Sequence, residues 1–125
     1  MSILIDSDIV IEVLRGRDQK ILSLWRALAD SRSPILISPI TVAEVGAGAR
    51  ESEKQAIARF FAPLTYVVID QTIGQLAGEY LHQYSKSHNL KIGDALIAAS
   101  ATHTQAALWT RNRKHYPMPD LNFHA

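Results

Sequence analysis

Ile3-Leu4-Ile5-Asp6-Ser7-Asp8 is the stretch whose reading decides the fold. An unbroken apolar run, Ile3 to Ile5, leads straight into two carboxylates with only Ser7 between them. A short continuous apolar run reads as a strand buried on both faces, as in a parallel α/β sheet. Ligands of open α/β sheets bind beyond the carboxyl ends of the strands, which is where Asp6 and Asp8 fall. Ile9 to Leu14 then continues as an apolar stretch broken only by Glu12, a helix that ends at Gly16.

Working outward, Ile21, Leu22, Trp25, Leu28 and Ala29 mark one face of an amphipathic helix over Asp18 to Asp30. Ile35–Ile37 is a second short strand. Ser38-Pro39 opens a helix with a hydroxyl at the N-cap and proline at the first turn, where its missing N–H costs nothing. That helix, Ile40 to about Ala49, carries Glu44 among Val42, Ala43 and Val45. Glu51 to Phe61 predicts a further helix with Ala56, Ile57, Phe60 and Phe61 inward. Leu64–Ile69 is the strongest strand by β-branched and aromatic content. Asp70 caps a long helix through about Ser87, with Ile73, Leu76, Ala77, Tyr80, Leu81 and Tyr84 on its apolar stripe. Lys91 to Thr104 is the last helix, with Asp94 in its first turn. Ala106–Thr110 is a last strand, leading to Arg111-Asn112-Arg113-Lys114-His115, and the tail adds at most a short edge strand. Strands alternating with helices predict a three-layer α/β/α sandwich with a mainly parallel central sheet, one domain over residues 1–125.

A chain of 125 residues buries roughly two thirds of its unfolded surface. Its 47% hydrophobic and 20% charged residues exclude a disordered or fibrous chain. No apolar run approaches the roughly 20 residues of a membrane helix. The N-terminus does not read as a secretory leader, so the cytoplasm is the expected compartment. The absence of cysteine removes disulfides and thiolate metal sites. A net charge of +1 neither demands nor excludes nucleic acid, whose footprint is a local basic patch.

Asp6, Glu44 and Asp94 are out of place for surface acids. Each has a structural alternative: Asp6 or Asp8 as a helix cap, Glu44 on a wet helix face, Asp94 as a first-turn acid favoured by the helix dipole. Taken together they follow strand ends or helix starts at one end of the sheet. Like charges buried together are costly unless something positive joins them, and a divalent cation is the simplest candidate. Oxygen ligands without cysteine suit Mg²⁺ or Mn²⁺. Such an ion activates water and stabilises in-line attack on phosphate, which points to phosphodiester hydrolysis. His82 and His103 read as surface or packing residues, Trp25 and Trp109 as core, and no histidine pair has zinc spacing. Arg111, Arg113, Lys114 and His115 are either solvated surface or a grip on a nucleic-acid backbone.

In order, Asp-Ser-Asp after the first strand, Ser-Pro-Ile-Thr-Val-Ala-Glu on the middle helix, Gly-Asp-Ala-Leu-Ile-Ala-Ala and Thr-Arg-Asn after the last strand resemble the PIN-domain family. Within it, the chain is most similar to the VapC-type toxins of toxin–antitoxin operons. The resemblance spans essentially the whole chain and implies an endoribonuclease dependent on Mg²⁺ or Mn²⁺. It implies metal binding by Asp6 and Asp94, with Glu44 binding or orienting water. Ser7 matches a hydroxyl position, and Thr110 and Asn112 complete the shell, leaving Arg111, Arg113 and Lys114 to hold RNA. It further implies a homodimer silenced by a cognate antitoxin. Two departures stand out: Asp8 replaces the usual asparagine, and neutral Asn112 stands where a fourth acid is expected. Some relatives with that asparagine place an aspartate three residues later, where this chain has His115. A degenerate PIN module that binds RNA or a protein partner without cutting is therefore one rival. A haloacid-dehalogenase-like phosphatase, built on Asp6, Asp8 and Lys91, is the other.

Overall fold

The computed structural model describes residues 1–125. Its strands are β1 (Ile3–Ile5), β2 (Ile35–Ile37), β3 (Thr65–Tyr66) and β4 (Ala107–Trp109). They form one sheet in the order β3-β2-β1-β4, and every neighbouring pair is parallel. From β1 the chain steps outward through β2 to β3, then returns to lay β4 on the other side of β1. That reversal makes the carboxyl ends of β1 and β4 a topological switch point, where an α/β sheet opens a crevice.

Alternation along the adjacent strands β1 and β4 divides the apolar residues between two cores. Ile3, Ile5, Ala107 and Trp109 face one way, together with Ile37, Ile9, Val10, Ile21 and Leu28. Ile37 comes from β2, Ile9 and Val10 from α1 (Ser7–Arg15), and Ile21 and Leu28 from α2 (Gln19–Asp30). Leu4 and Leu108 face the other way, against α5 (Gln71–His88) and α6 (Ile92–Thr104) through Ile73, Tyr80, Ile97 and Ala98. α3 (Pro39–Ala47) sends Val45 to the first core and packs Ile40 against the second. The layers are therefore helix, parallel sheet, helix, as the sequence predicts.

Helix ends follow the local chemistry. Asp18, Ser38 and Asp70 cap their helices with side-chain oxygens that accept from Ile21, Ile40 and Ile73 N–H at 3.1, 3.1 and 3.0 Å. Each satisfies a donor the helix cannot. Gly16 closes α1 at φ 67, and Asn89 closes α5 at φ 51. Both lie in the left-handed region, which glycine enters freely and asparagine tolerates.

Three sequence expectations need correction. The strand expected over Leu64–Ile69 contracts to Thr65–Tyr66, with one further bond from Val67 N–H to Ile37 C=O. It lies at the sheet edge, where Tyr66 and Val68 are exposed and lack the packing that gives β-branched residues their strand preference. The helix expected over Glu51–Phe61 begins as a 3₁₀ turn at Glu51–Glu53 before α4 (Lys54–Phe61). Within α4, Ala56 is exposed, while Ile57, Phe60 and Phe61 turn inward. Trp25 is half-buried, stacked on Phe60 at a 5.0 Å centroid separation, and Trp109 is buried. The tail pairs only through a parallel bridge from Leu108 to Phe123.

Leu108, on β4, is fully buried in the core beneath α5 and α6. Leu108→Ala is expected to cost about 2–5 kcal/mol. Val68→Thr on the exposed edge should stay within about 0.5 kcal/mol. Denaturant unfolding of both variants checks this division of the structure.

Candidate active site

A cleft of about 240 Å³ opens at the carboxyl end of the sheet, lined by Asp6, Ser7, Asp8, Glu44, Asp94, Asn112, His115 and Tyr116. β1 delivers Asp6, and the first turn of α1 adds Ser7 and Asp8. α3 adds Glu44, α6 adds Asp94, and the turn after β4 adds Asn112 and His115. α6 packs against α3 beside Glu44: a Cβ built on Gly93 would lie at ordinary contact distance, 3.5 Å from Ile40 Cγ2 and 3.8 Å from Glu44 Oε2. That packing keeps Glu44 and Asp94 on the same cleft.

Asp6 is 7% exposed and holds three donors. Its Oδ1 accepts from Ser7 N–H at 2.8 Å, and its Oδ2 accepts from the Thr110 hydroxyl at 2.9 Å and the Tyr116 hydroxyl at 2.8 Å. Thr110 also lies 3.4 Å from Asp8 Oδ2, but it has one proton and the shorter contact is to Asp6. Thr110 in turn accepts from Asn112 N–H at 3.1 Å, which fixes the turn after β4. Asp8 Oδ2 accepts from Arg111 N–H at 3.1 Å, while Asp8 Oδ1 is buried without a partner. The Ser7 hydroxyl donates to Glu44 Oε1 at 2.6 Å, joining α1 to α3.

Burial raises the Asp6 pKa against the three donors that lower it, and the charge of Asp94 adds to the rise. Burial, then the charge of Asp6, pushes Asp8 up to about 6. The Tyr116 hydroxyl is raised as well, by burial and by the charge of Asp6. The cleft thus concentrates negative charge at a desolvation cost, an arrangement typical of a functional site. No three of its acids converge to ligand spacing. Mutual repulsion favours that spread, and Mg²⁺ needs only one or two direct carboxylates, with waters completing its shell. A lining dominated by carboxylate oxygens and the unpartnered Asp8 Oδ1 fit a hard divalent ion.

The basic residues divide. Arg111 Nη1 lies 3.2 Å from Glu12 Oε1, and Arg113 stacks 5.0 Å over the Phe123 ring while donating to the His124 carbonyl at 3.3 Å. Lys114 is exposed. None of the three lines the cleft, whereas His115 does. Thr110 reaches the site by supporting Asp6 from behind. Tyr116 carried no signal in the sequence, because 110 positions separate it from its carboxylate partner.

The PIN domain family matches residues 3–121. The chain belongs to that family. Ribonuclease VapC10 of Mycobacterium tuberculosis is 36% identical over 121 residues, 93% of this chain and 86% of the relative. Ribonuclease VapC19 of the same species is 35% identical over 120 residues, covering 94% and 95%. Among solved structures, a toxin–antitoxin complex from Klebsiella pneumoniae superposes with a TM-score of 0.76 at 28% identity, covering 96% of this chain and 95% of that one. Family membership sets aside the phosphatase alternative. This PIN domain brings Asp6, Glu44, Asp94 and Asn112 to one cleft.

In this PIN domain Asp8 faces Asp6 and the Thr110 hydroxyl, with the Arg111 guanidinium turned away to Glu12. Its folded pKa of about 6 exceeds the ordinary 3.8, so the folded state binds the proton more tightly. Stability from this group therefore falls as pH rises between those values, and the penalty is complete above the upper one. Asp8→Asn keeps an acceptor for Arg111 N–H and removes the charge. Because Asp8 is partly solvated, the gain at pH ~7 is expected near 1 kcal/mol, fading by pH ~4. Denaturant midpoints measured in EDTA check this, and a destabilised variant at neutral pH contradicts it.

Proposed function

We propose that this PIN domain is a divalent-metal-dependent endoribonuclease, the toxin half of a toxin–antitoxin pair acting in the cytoplasm as a homodimer. One observation carries the reading: Asp6, Asp8, Glu44 and Asp94 line a single cleft at the sheet's switch point. Two relatives matched over nearly their whole length are named ribonucleases, which supplies the substrate class.

Asp6 and Asp94 hold Mg²⁺ or Mn²⁺ in this reading. When bound, the ion supplies Lewis-acid polarisation of the scissile phosphate and lowers the pKa of water. Glu44, held by Ser7, binds or orients that water from α3. Thr110 and Tyr116 fix the Asp6 carboxylate, while the Asn112 amide and the His115 imidazole face the remaining wall. Lys114 is the exposed cation after β4 available to the RNA backbone; Arg111 and Arg113 act there only by exchanging the partners they hold.

An antitoxin has a surface beside this cleft. Ile11, Leu14, Val45 and Ile57 line a groove between α1, α3 and α4, with Arg15 and Glu53 among its polar residues, and Glu44 belongs to both groove and cleft. The Klebsiella pneumoniae structure, a toxin–antitoxin complex, supports such a partner. A segment filling this groove would reach the acids directly.

Total cellular RNA incubated with Mg²⁺ or Mn²⁺ tests the activity. Wild type should cut, EDTA should stop it, and Asp94→Asn should lose more than the roughly 100-fold that outer partners of a metal site contribute. RNA binding without cutting, by folded protein freed of any antitoxin, overturns the reading in favour of the degenerate module that neutral Asn112 suggests.

A further inference from the structure

A carboxylate oxygen has two lone pairs directed in its plane, and both of those on Asp6 Oδ2 are in use. Thr110 donates to it from the end of β4 at 2.9 Å, and Tyr116 donates from the tail at 2.8 Å. Oδ1 receives only Ser7 N–H, at 2.8 Å, so one lone pair of the whole group is free. Tyr116 is 4% exposed, yet its hydroxyl reaches the wall of the cleft. Its backbone is anchored on both sides. Tyr116 N–H bonds the Arg113 carbonyl at 2.9 Å, and Asp120 accepts from the Tyr80 hydroxyl at 3.1 Å. The donor is thus held in place by the packed tail, independently of anything bound in the cleft.

We propose that Tyr116 is a positioning residue that, with Thr110, blocks Asp6 Oδ2 and restricts Asp6 to one-oxygen coordination of a metal through Oδ1. This rests on the reading of Asp6 as a metal-binding group. The consequence is ion selectivity. Ca²⁺ favours high coordination numbers and readily takes both oxygens of a carboxylate, whereas Mg²⁺ takes single oxygens in a tight octahedron and keeps its waters. Carboxylate donors alone do not separate these ions; denying Asp6 its second oxygen does. The phenol suits the task because it donates one proton in a fixed direction, and a phenol keeps that proton at neutral pH.

Tyr116→Phe removes the hydroxyl and leaves the ring in its packed position. Calorimetric titration of the full chain with Mn²⁺ and with Ca²⁺, in the absence of RNA, reads the effect without relying on turnover. The variant should bind Mn²⁺ roughly 10–100-fold more weakly, the usual loss when an outer partner of a ligand is removed. Ca²⁺ should not weaken in parallel, so the Mn²⁺-to-Ca²⁺ affinity ratio should fall by roughly tenfold or more. Tyr80→Phe loosens the same tail through Asp120 and should leave that ratio unchanged, separating ligand positioning from general loosening. Equal changes for both ions in Tyr116→Phe, or the same ratio change in Tyr80→Phe, overturn the proposal while leaving the nuclease reading intact. Wild type that binds no Mn²⁺ overturns both.

Discussion

Burying the Asp6 carboxylate is the constraint around which the cleft is assembled. A charge at the end of a central strand loses its water, and burial alone would push it toward the neutral form. Three hydrogen bonds offset part of that loss, and they arrive from α1, the end of β4 and the C-terminal tail. Two of the three donors exist only because β4 lies beside β1 in parallel register, with Ile5 opposite Trp109. The backbone repeats the connection through Asp6 N–H to the Trp109 carbonyl at 2.9 Å. Sheet topology and site electrostatics are thus one arrangement, in which the strand pairing that closes the core also carries the donors to Asp6.

The other acids are placed with less support, and this sets their character. Glu44 is exposed, with the Ser7 hydroxyl as its partner, and Asp94 sits at the start of α6 with a long 3.4 Å contact from Lys91 N–H. Asp8 leaves one buried oxygen without a partner beside a charged neighbour. Such unscreened carboxylates lower stability in the absence of a cation, a cost commonly found at functional sites. The concentration of negative charge also explains why Arg111 and Arg113 lie outside it. Each is engaged elsewhere, Arg111 with Glu12 and Arg113 with the tail, so neither neutralises the acids.

Helix starts were legible because their chemistry is local: Asp18, Ser38 and Asp70 each cap a donor two or three residues away. β1 and the acids after it were legible for a related reason, since a continuous apolar run ending in carboxylates fits few environments. β3 was overread because strand preference reports packing, and an edge strand lacks neighbours on one side. Ala56 was overread as inward because a small residue fits either face of a helix. The contacts that complete the site were not legible, since Ser7 and Glu44 lie 37 positions apart, and Thr110 and Asp6 lie 104 apart. Tyr116 was hidden more completely. Its neighbours in sequence form a basic turn, and only the folded tail turns the ring inward against Asp6.

Diffraction at the manganese edge, from crystals equilibrated with Mn²⁺, tests the claim that this cleft holds a divalent ion on Asp6. The account predicts an anomalous peak in the cleft, bonded to Asp6 through Oδ1 alone, with Asp94 beside it and the Thr110 and Tyr116 hydrogen bonds to Oδ2 kept. A cleft without a peak, in crystals that take up Mn²⁺ elsewhere, would contradict the account.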